Sequence, residues 1–297
     1  MADAWDRLAD YRDAKTGDRG DLWHRALIDP ALRRLIGRVR GLRVLEVACG
    51  NGYLAREFAR RGAREVVGVD RSRASIRLAR RRDRLRPRGV VFEVGDAGHL
   101  RFADGTFDLV VANMALMDIP NAAGAIREAA RVLVPGGRFL FSISHPCFDL
   151  DDRSVWSVER GFGSDGLFRN TVWRSVRGYR DERESRSPWR VDPHTVVWTK
   201  SFHRTLSTYV RYLRDAGFAV TAMDEPLPQR EMLVGSPQGA YLQEIPLHLV
   251  VEAVRRDAPR PASRTPGRSR AGGGRRSGSR ARIGRTGSAH RGSSRGS

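Results

Sequence analysis

Along this chain, apolar and polar positions follow two alternating patterns. Short, nearly unbroken apolar runs are followed by longer stretches that are apolar on one side only. Val44–Ala48, Glu65–Val69, Val90–Val94, Phe107–Asn113 and Arg138–Ser144 read as strands buried on both faces. Ser72–Leu85 and Ala122–Leu133 carry helical spacing between them, as does the run beginning at Tyr53. Strand and helix in alternation predict an open, mostly parallel α/β sheet. Ahead of it, residues 3–37 read as two helices, with Trp5, Leu8, Tyr11, Leu22, Trp23, Leu27, Leu32, Leu35 and Ile36 facing inward. After it, Leu206–Ala216 is a helix stopped by Gly217, and Phe218–Met223 and Pro246–Val254 are two last strands. The loop 225–243 between them is rich in proline and glycine and is expected at the ligand end of the sheet.

Two stretches break the pattern. Residues 146–204 hold four of the six tryptophans, Trp156, Trp173, Trp189 and Trp198, with Phe148, Phe162, Phe168, Tyr179 and Phe202. So many large rings argue against disorder, and a long insertion at the ligand end is expected to cap a pocket. Residues 257–297 are Arg, Gly and Ser with almost no apolar content, and read as a disordered tail. The expected organisation is a helical cover over 1–40, a catalytic domain over 41–256 with the cap at 146–204, and the tail.

The chemistry sits where strands end. Gly50 and Gly52 follow the first strand and permit a sharp turn and close backbone approach to a ligand. The second strand ends at Asp70, a carboxylate able to accept from a ribose diol. Gly50-x-Gly52-x-x-Ala55, with Asp70 twenty residues after Gly50, satisfies a dinucleotide fingerprint, so a nicotinamide-dependent oxidoreductase stays open. Glu46 points elsewhere, because a carboxylate beside the loop would repel a pyrophosphate and suits a cationic, amine-bearing ligand. Asp96, closing the third strand, can accept from the exocyclic amine of adenine.

Taken together, Leu45–Gly52, Gly68–Asp70, Gly95–Ala97, Phe107–Val110 and Arg131–Gly137 resemble the class I S-adenosylmethionine-dependent methyltransferases. They are similar in order and spacing to the ubiquinone-biosynthesis-like bacterial group, over about residues 20 to 255. The resemblance implies a Rossmann-like, seven-stranded, mostly parallel sheet with helices on both faces, the last strand antiparallel and a cap inserted. It implies S-adenosylmethionine as cofactor, with its methionine part cradled by Glu46, Ala48, Cys49, Gly50, Asn51 and Gly52. Asp70, with Arg71 beside it, would hold the ribose, Asp96 and Ala97 the adenine, and Asn113 and Met114 would flank the cofactor. Ala48 departs from the glycine of many relatives.

Methyl transfer is an in-line displacement, helped by a base near the methyl group when the acceptor carries a proton. His145, at the end of the fifth strand before Pro146-Cys147-Phe148, is the first candidate, and that tetrapeptide resembles one in a bacterial subgroup of these enzymes. His203, where the cap rejoins the core, is the second. Against these stand readings of His145 as a strand-to-cap anchor and His203 as a helix-entry residue. His99, Asp118, His194 and Tyr241 are weaker pocket candidates. His24 can reach the cofactor or pack a helix. Asp149, Asp151 and Asp152 cluster, but no second carboxylate group joins them, so no metal is expected.

The net charge is +20, almost all from arginine, with lysine only at Lys15 and Lys200. The tail holds 11 arginines and one acid, so +10 of the total lies there. Without interleaved aromatics, nucleic-acid binding by it is not expected. Two cysteines exclude a disulfide framework, no apolar run is long enough to span a bilayer, and the start does not read as a signal peptide, so a cytoplasmic protein is expected. The expected function is methylation of a small-molecule acceptor. RNA or protein methylation, or a cofactor-binding module without turnover, are the other readings. Asn113-Met114-Ala115-Leu116 lacks the Asn-Pro-Pro-Tyr pattern suited to exocyclic amines.

Overall fold

A computed structural model describes residues 2–85, 87–236 and 239–256. The expected tail, 257–297, lies outside the described residues. Seven strands form one sheet in the order β10-β11-β5-β4-β1-β2-β3. They are β1 (Arg43–Val47), β2 (Glu65–Asp70), β3 (Val91–Val94), β4 (Phe107–Ala112), β5 (Leu133–Ser144), β10 (Phe218–Asp224) and β11 (His248–Arg255). β1 pairs in parallel with β2 and β4, while β11 runs antiparallel to both β5 and β10. The order reverses between β1 and β4, the point in such sheets where ligands bind at the carboxyl ends of the strands.

Each sheet face carries its own core. On one side Ile36, Leu54, Phe58 and Leu140 pack with α2 (Asp29–Ile36) and α3 (Tyr53–Arg60). On the other, Ile126, Phe139, Phe141 and Leu213 join α5 (Ala122–Val132) and α6 (Leu206–Asp215) to the sheet. The helices begin where side chains satisfy free backbone donors. Asn121 Oδ1 accepts from Gly124 N–H at 2.9 Å to open α5, and Thr205 Oγ1 accepts from Thr208 N–H at 3.2 Å to open α6. β5 starts five residues earlier than the apolar run suggests. Pro135-Gly136-Gly137 is carried inside the strand, across a register shift against β4.

The N-terminal segment forms α1 (Ala2–Thr16), a π-helical turn (His24–Ile28) and α2. Asp6 fastens α1 to α4 (Arg73–Leu85) by accepting from Ser72 Oγ at 2.7 Å and Ala74 N–H at 2.9 Å. The insertion is two separate antiparallel hairpins, β6 (Ser154–Phe162) with β7 (Phe168–Val176) and β8 (Arg183–Arg190) with β9 (Val196–His203). The second leans on α1 through β9. The first ends in exposed Phe162 and Phe168, so most of the insertion's rings do not form one cap core. Arg204, buried where the insertion rejoins the sheet, donates to the carbonyls of Leu116, Ile119 and Pro120. The 225–243 loop contains α7 (Arg230–Gly235), whose Met232 is fully buried in the core. No helix among the described residues is long and apolar enough to cross a membrane.

Candidate functional site

The turn after β1 is built from left-handed backbone. Ala48, Gly50 and Gly52 take φ of 55°, 54° and 72°. Gly52 admits no side chain, since a Cβ there would lie 2.2 Å from Phe92 Cε1. Ala48 adopts a conformation that costs an alanine about 1–2 kcal/mol. The turn is pinned from β2. Gly50 N–H donates to Asp70 Oδ2 and Ser72 N–H to Oδ1, each at 2.8 Å. Each Asp70 oxygen keeps a second lone pair for a ligand. Burial raises the Asp70 pKa above the usual carboxylate value, against these two hydrogen bonds.

Glu46, next to last in β1, lies beneath this turn, 3% exposed. It accepts from Ala55 N–H at 2.8 Å, and burial pushes its pKa up to about 8. Beyond it, Asp29, fully buried, accepts from Tyr53 Oη at 3.0 Å and Asn113 Nδ2 at 3.2 Å, with Arg33 3.3 Å away. Asn113 Oδ1 in turn accepts from Ser142 Oγ at 2.5 Å, and Ser142 Oγ accepts from Met114 N–H at 2.8 Å. This chain of hydrogen bonds holds the end of β4 against β5 and stabilises Met114 at φ 50°, the second strained residue of the site. Asp96, exposed at the end of β3, accepts from Gly98 N–H at 2.8 Å.

Much of this arrangement lines one cavity of about 1000 Å³, with Asp29 and Ser142 behind its wall. The sheet ends contribute Glu46, Ala48, Cys49, Gly50, Asn51, Asp70, Arg71, Asp96, Ala97, Asn113 and Met114. Of the expected cofactor residues only Gly52 stays off the wall, turned onto Phe92. The roof comes from α1, the π turn and β8–β9. Trp189 stands edge-on to Trp5 with ring centroids 6.1 Å apart, and the Arg12 guanidinium lies 5.0 Å above the Trp189 ring. Trp189 Nε1–H donates to Thr199 Oγ1 at 2.8 Å, fixing the ring on its hairpin.

The two expected bases do not reach this cavity. His145 Nδ1 accepts from Cys147 N–H at 3.1 Å, so Nε2 bears the proton and bonds Glu225 Oε1 at 3.0 Å. Both nitrogens are occupied in holding the strand-to-insertion turn, and burial lowers the ring's pKa against the opposing effect of Glu225. His203, the last residue of β9, donates from Nε2 to Tyr179 O at 2.8 Å, in the segment that leads into β8. Neither lines the cavity. Of the weaker candidates, His99 and Asp118 line it, while His194 and Tyr241 do not. Asp149 lies 3.4 Å from Arg174 and Asp152 pairs with Arg183, so the acidic run is divided among arginines.

In their place the structure presents a histidine little regarded from sequence and another not considered. His24 Nδ1 lies 2.8 Å from Asp21 Oδ1, and its ring meets Tyr53 edge-on at 5.8 Å. His248, the first residue of β11, packs against Trp23 with ring centroids 5.5 Å apart. Asp21, Trp23, His24 and His248 all line the cavity. In the sequence His248 is merely one more position in a strand. Its signal is tertiary, a polar ring at the carboxyl-end side of β5.

A family model described as a methyltransferase domain matches residues 45–141. The chain is 36% identical over 194 residues to the demethylmenaquinone methyltransferase of Renibacterium salmoninarum, covering 62% of this chain and 76% of that one. It is 40% identical over 125 residues to a ubiquinone/menaquinone biosynthesis C-methyltransferase of Idiomarina loihiensis, covering 40% of this chain and 47% of that one. It thus spans about half the length of the latter, and of a Streptomyces halstedii methyltransferase of which it covers 44%. A crystal structure of an S-adenosylmethionine-dependent methyltransferase from Mesorhizobium loti superposes with a TM-score of 0.61 at 29% identity, covering 76% of this chain and 96% of that one. The chain therefore belongs to the class I S-adenosylmethionine-dependent methyltransferases of the ubiquinone-biosynthesis-like group.

Proposed function

We propose that the protein transfers a methyl group from S-adenosylmethionine to a small-molecule acceptor held under the α1 and β8–β9 roof. The observation that carries this reading is the charge of the cavity wall. Asp21, Asp70, Asp96 and Asp118 line it with Asp13 and Asp149, which pair with Arg82 and Arg174, and with Glu46, whose raised pKa makes it a latent charge, against Arg12, Lys15 and Arg71. Such a wall favours a cationic sulfonium and ammonium over the pyrophosphate of a dinucleotide or the backbone of RNA. The cofactor supplies a methyl carbon made electrophilic by the sulfonium.

The chain's residues do the rest. Glu46, costly to ionise when buried alone, becomes a favourable partner for the cofactor's ammonium end. Asp70 accepts from the ribose hydroxyls, Asp96 from the adenine amine, and Ala97 packs against the base. Asn113 and Met114, fixed through Ser142, brace the reacting end. Trp5 and Trp189 cover the cavity from α1 and β8. The whole cavity is at the top of the roughly 300–1,000 Å³ range of small-molecule sites, room for a cofactor and a second small ligand. The reading includes a cytoplasmic location, supported by Cys49 and Cys147 both being free.

Calorimetric titration with S-adenosylmethionine, S-adenosylhomocysteine and NAD tests the cofactor, and binding of NAD alone would sink the reading. Transfer of label from methyl-labelled S-adenosylmethionine into a deproteinised cell extract tests the acceptor class. Label appearing only when RNA or protein is added would replace it with the polymer reading.

A further inference from the structure

We propose that His24 and His248 form the methyl-acceptor subsite, with His24, oriented by Asp21, taking the acceptor's proton and His248 holding the acceptor by a hydrogen bond. This rests on the methyl-transfer reading above.

Geometry settles the tautomer of His24. Its Nδ1 faces a carboxylate oxygen 2.8 Å away, which only accepts, so Nδ1 carries the proton and the neutral ring has a bare Nε2. The same Asp21 oxygen accepts from the His24 backbone N–H at 3.1 Å, so ring and main chain are held together. Burial alone would raise the Asp21 carboxyl, but the His24 hydrogen bonds and charge, with Arg12 3.6 Å away, hold it below the usual carboxylate range. An ionised Asp21 is what a newly formed imidazolium needs. Three further groups face the ring region, namely Asp29 beneath it, Tyr53 from α3 and His248 from β11. His24 opens a π-helical turn, a rare geometry frequent at functional sites. Gly20, at φ 86°, brings the chain so close that a Cβ there would lie 2.8 Å from His24 Cβ.

His248 supplies the second, independent observation. It is 8% exposed and lines the cavity, and its Nδ1 is buried with no hydrogen-bond partner among the described residues. Leaving such an atom unpaired costs about 1–3 kcal/mol, and the ring that carries it lines the cavity, which makes a bound acceptor the candidate partner. Burial lowers its pKa to about 3, so it stays neutral and serves as a hydrogen-bonding group rather than a proton store. The two imidazoles therefore divide the work. In the reaction, the acceptor's lone pair forms the bond to the methyl carbon. The electrons of the carbon–sulfur bond stay on sulfur, giving the neutral thioether. The acceptor's proton passes to Nε2 of His24 and leaves to solvent with the product.

Three measurements on the full chain test this. In the first, ¹⁵N-histidine spectra of the S-adenosylhomocysteine-bound protein, assigned with H24N, should show His24 protonated at Nδ1 and that preference lost in D21N. A His24 protonated at Nε2 overturns the proposal whether or not an acceptor is at hand. In the second, H24N should bind S-adenosylhomocysteine within twofold of wild type and transfer label into the extract at least 100-fold more slowly, the scale of a lost general base. Wild-type transfer by H24N overturns the base role. In the third, H248L should melt no lower than wild type, because an unpaired polar atom is removed, while transfer falls about tenfold, as for one lost hydrogen bond. A lowered melting temperature with unchanged transfer makes His248 structural and overturns its part. An inactive wild type would instead sink the methyl-transfer reading, leaving the spectra to decide the tautomer.

Discussion

The floor and the roof of the cavity are made in different ways. The floor is strand ends and turns, in which backbone N–H groups fix carboxylates over short sequence distances, as Gly50 and Ser72 fix Asp70. The roof is side chains from distant segments, with Trp5 meeting Trp189 and Trp23 meeting His248. The floor stores its cost in left-handed backbone and buried acids. The roof is held by these ring contacts, by the Arg12 cation–π contact and by the hydrogen bonds that Asp6 and Asp13 of α1 accept from Ser72, Ala74 and Asn51. The lesson is that the floor is set by local turn geometry, while the roof depends on contacts between segments far apart in the chain.

The largest expected effect tests the stored charge of the floor. The Glu46 carboxyl has a folded-state pKa of about 8 against an ordinary 4.5, so the fold favours its protonated form. Its contribution is fully present below about pH 4.5 and is lost as pH rises through 8, at about 1.4 kcal/mol per pH unit across that window. Denaturant unfolding of the ligand-free protein should lose on the order of 4 kcal/mol between pH 5 and 8 beyond the loss seen in E46Q. Parallel curves for the two proteins would show Glu46 ionised without strain.

Next is Asp70→Ala, which should cut S-adenosylmethionine affinity at least 100-fold, about 2.7 kcal/mol, in a calorimetric titration. Its melting curve should stay cooperative. Retained affinity would separate the ribose from this acid.

Breaking the roof should cost less. Trp189→Ala removes the Trp5 edge contact and the Arg12 stack, each worth about 0.5–1.5 kcal/mol. S-adenosylhomocysteine should dissociate about tenfold faster in stopped flow, with little change in global stability. An unchanged rate would mean that β8–β9 does not gate the cavity.

The smallest effect belongs to Ala48→Gly. Relief of the left-handed strain, about 1–2 kcal/mol, is offset by about 0.4–1 kcal/mol of unfolded-state entropy. A net gain between zero and about 1.6 kcal/mol in chemical denaturation is expected, and a loss would show that the methyl group packs usefully.

The contrast between floor and roof also explains what could be read from the chain. The five apolar runs, the Gly50–Gly52 turn and the acids at 46, 70 and 96 are each defined by neighbours a few positions away, and each was legible. The insertion was legible as an insertion, yet its rings suggested a single cap, whereas Trp189 alone among its tryptophans reaches the cavity. His145 attracted attention because it stands at a strand end. The structure shows both its nitrogens engaged, by Cys147 and Glu225.

By itself, then, the sequence determined the sheet, the order of its strand-end acids and the cofactor family, because periodicity and turn chemistry are local properties of a chain. Only the tertiary structure decided which histidines line the cavity. A histidine's role depends on what each ring nitrogen touches, and His24 and His248, 224 positions apart in the chain, come to one cavity only when β11 closes against β5 and the π turn packs above it.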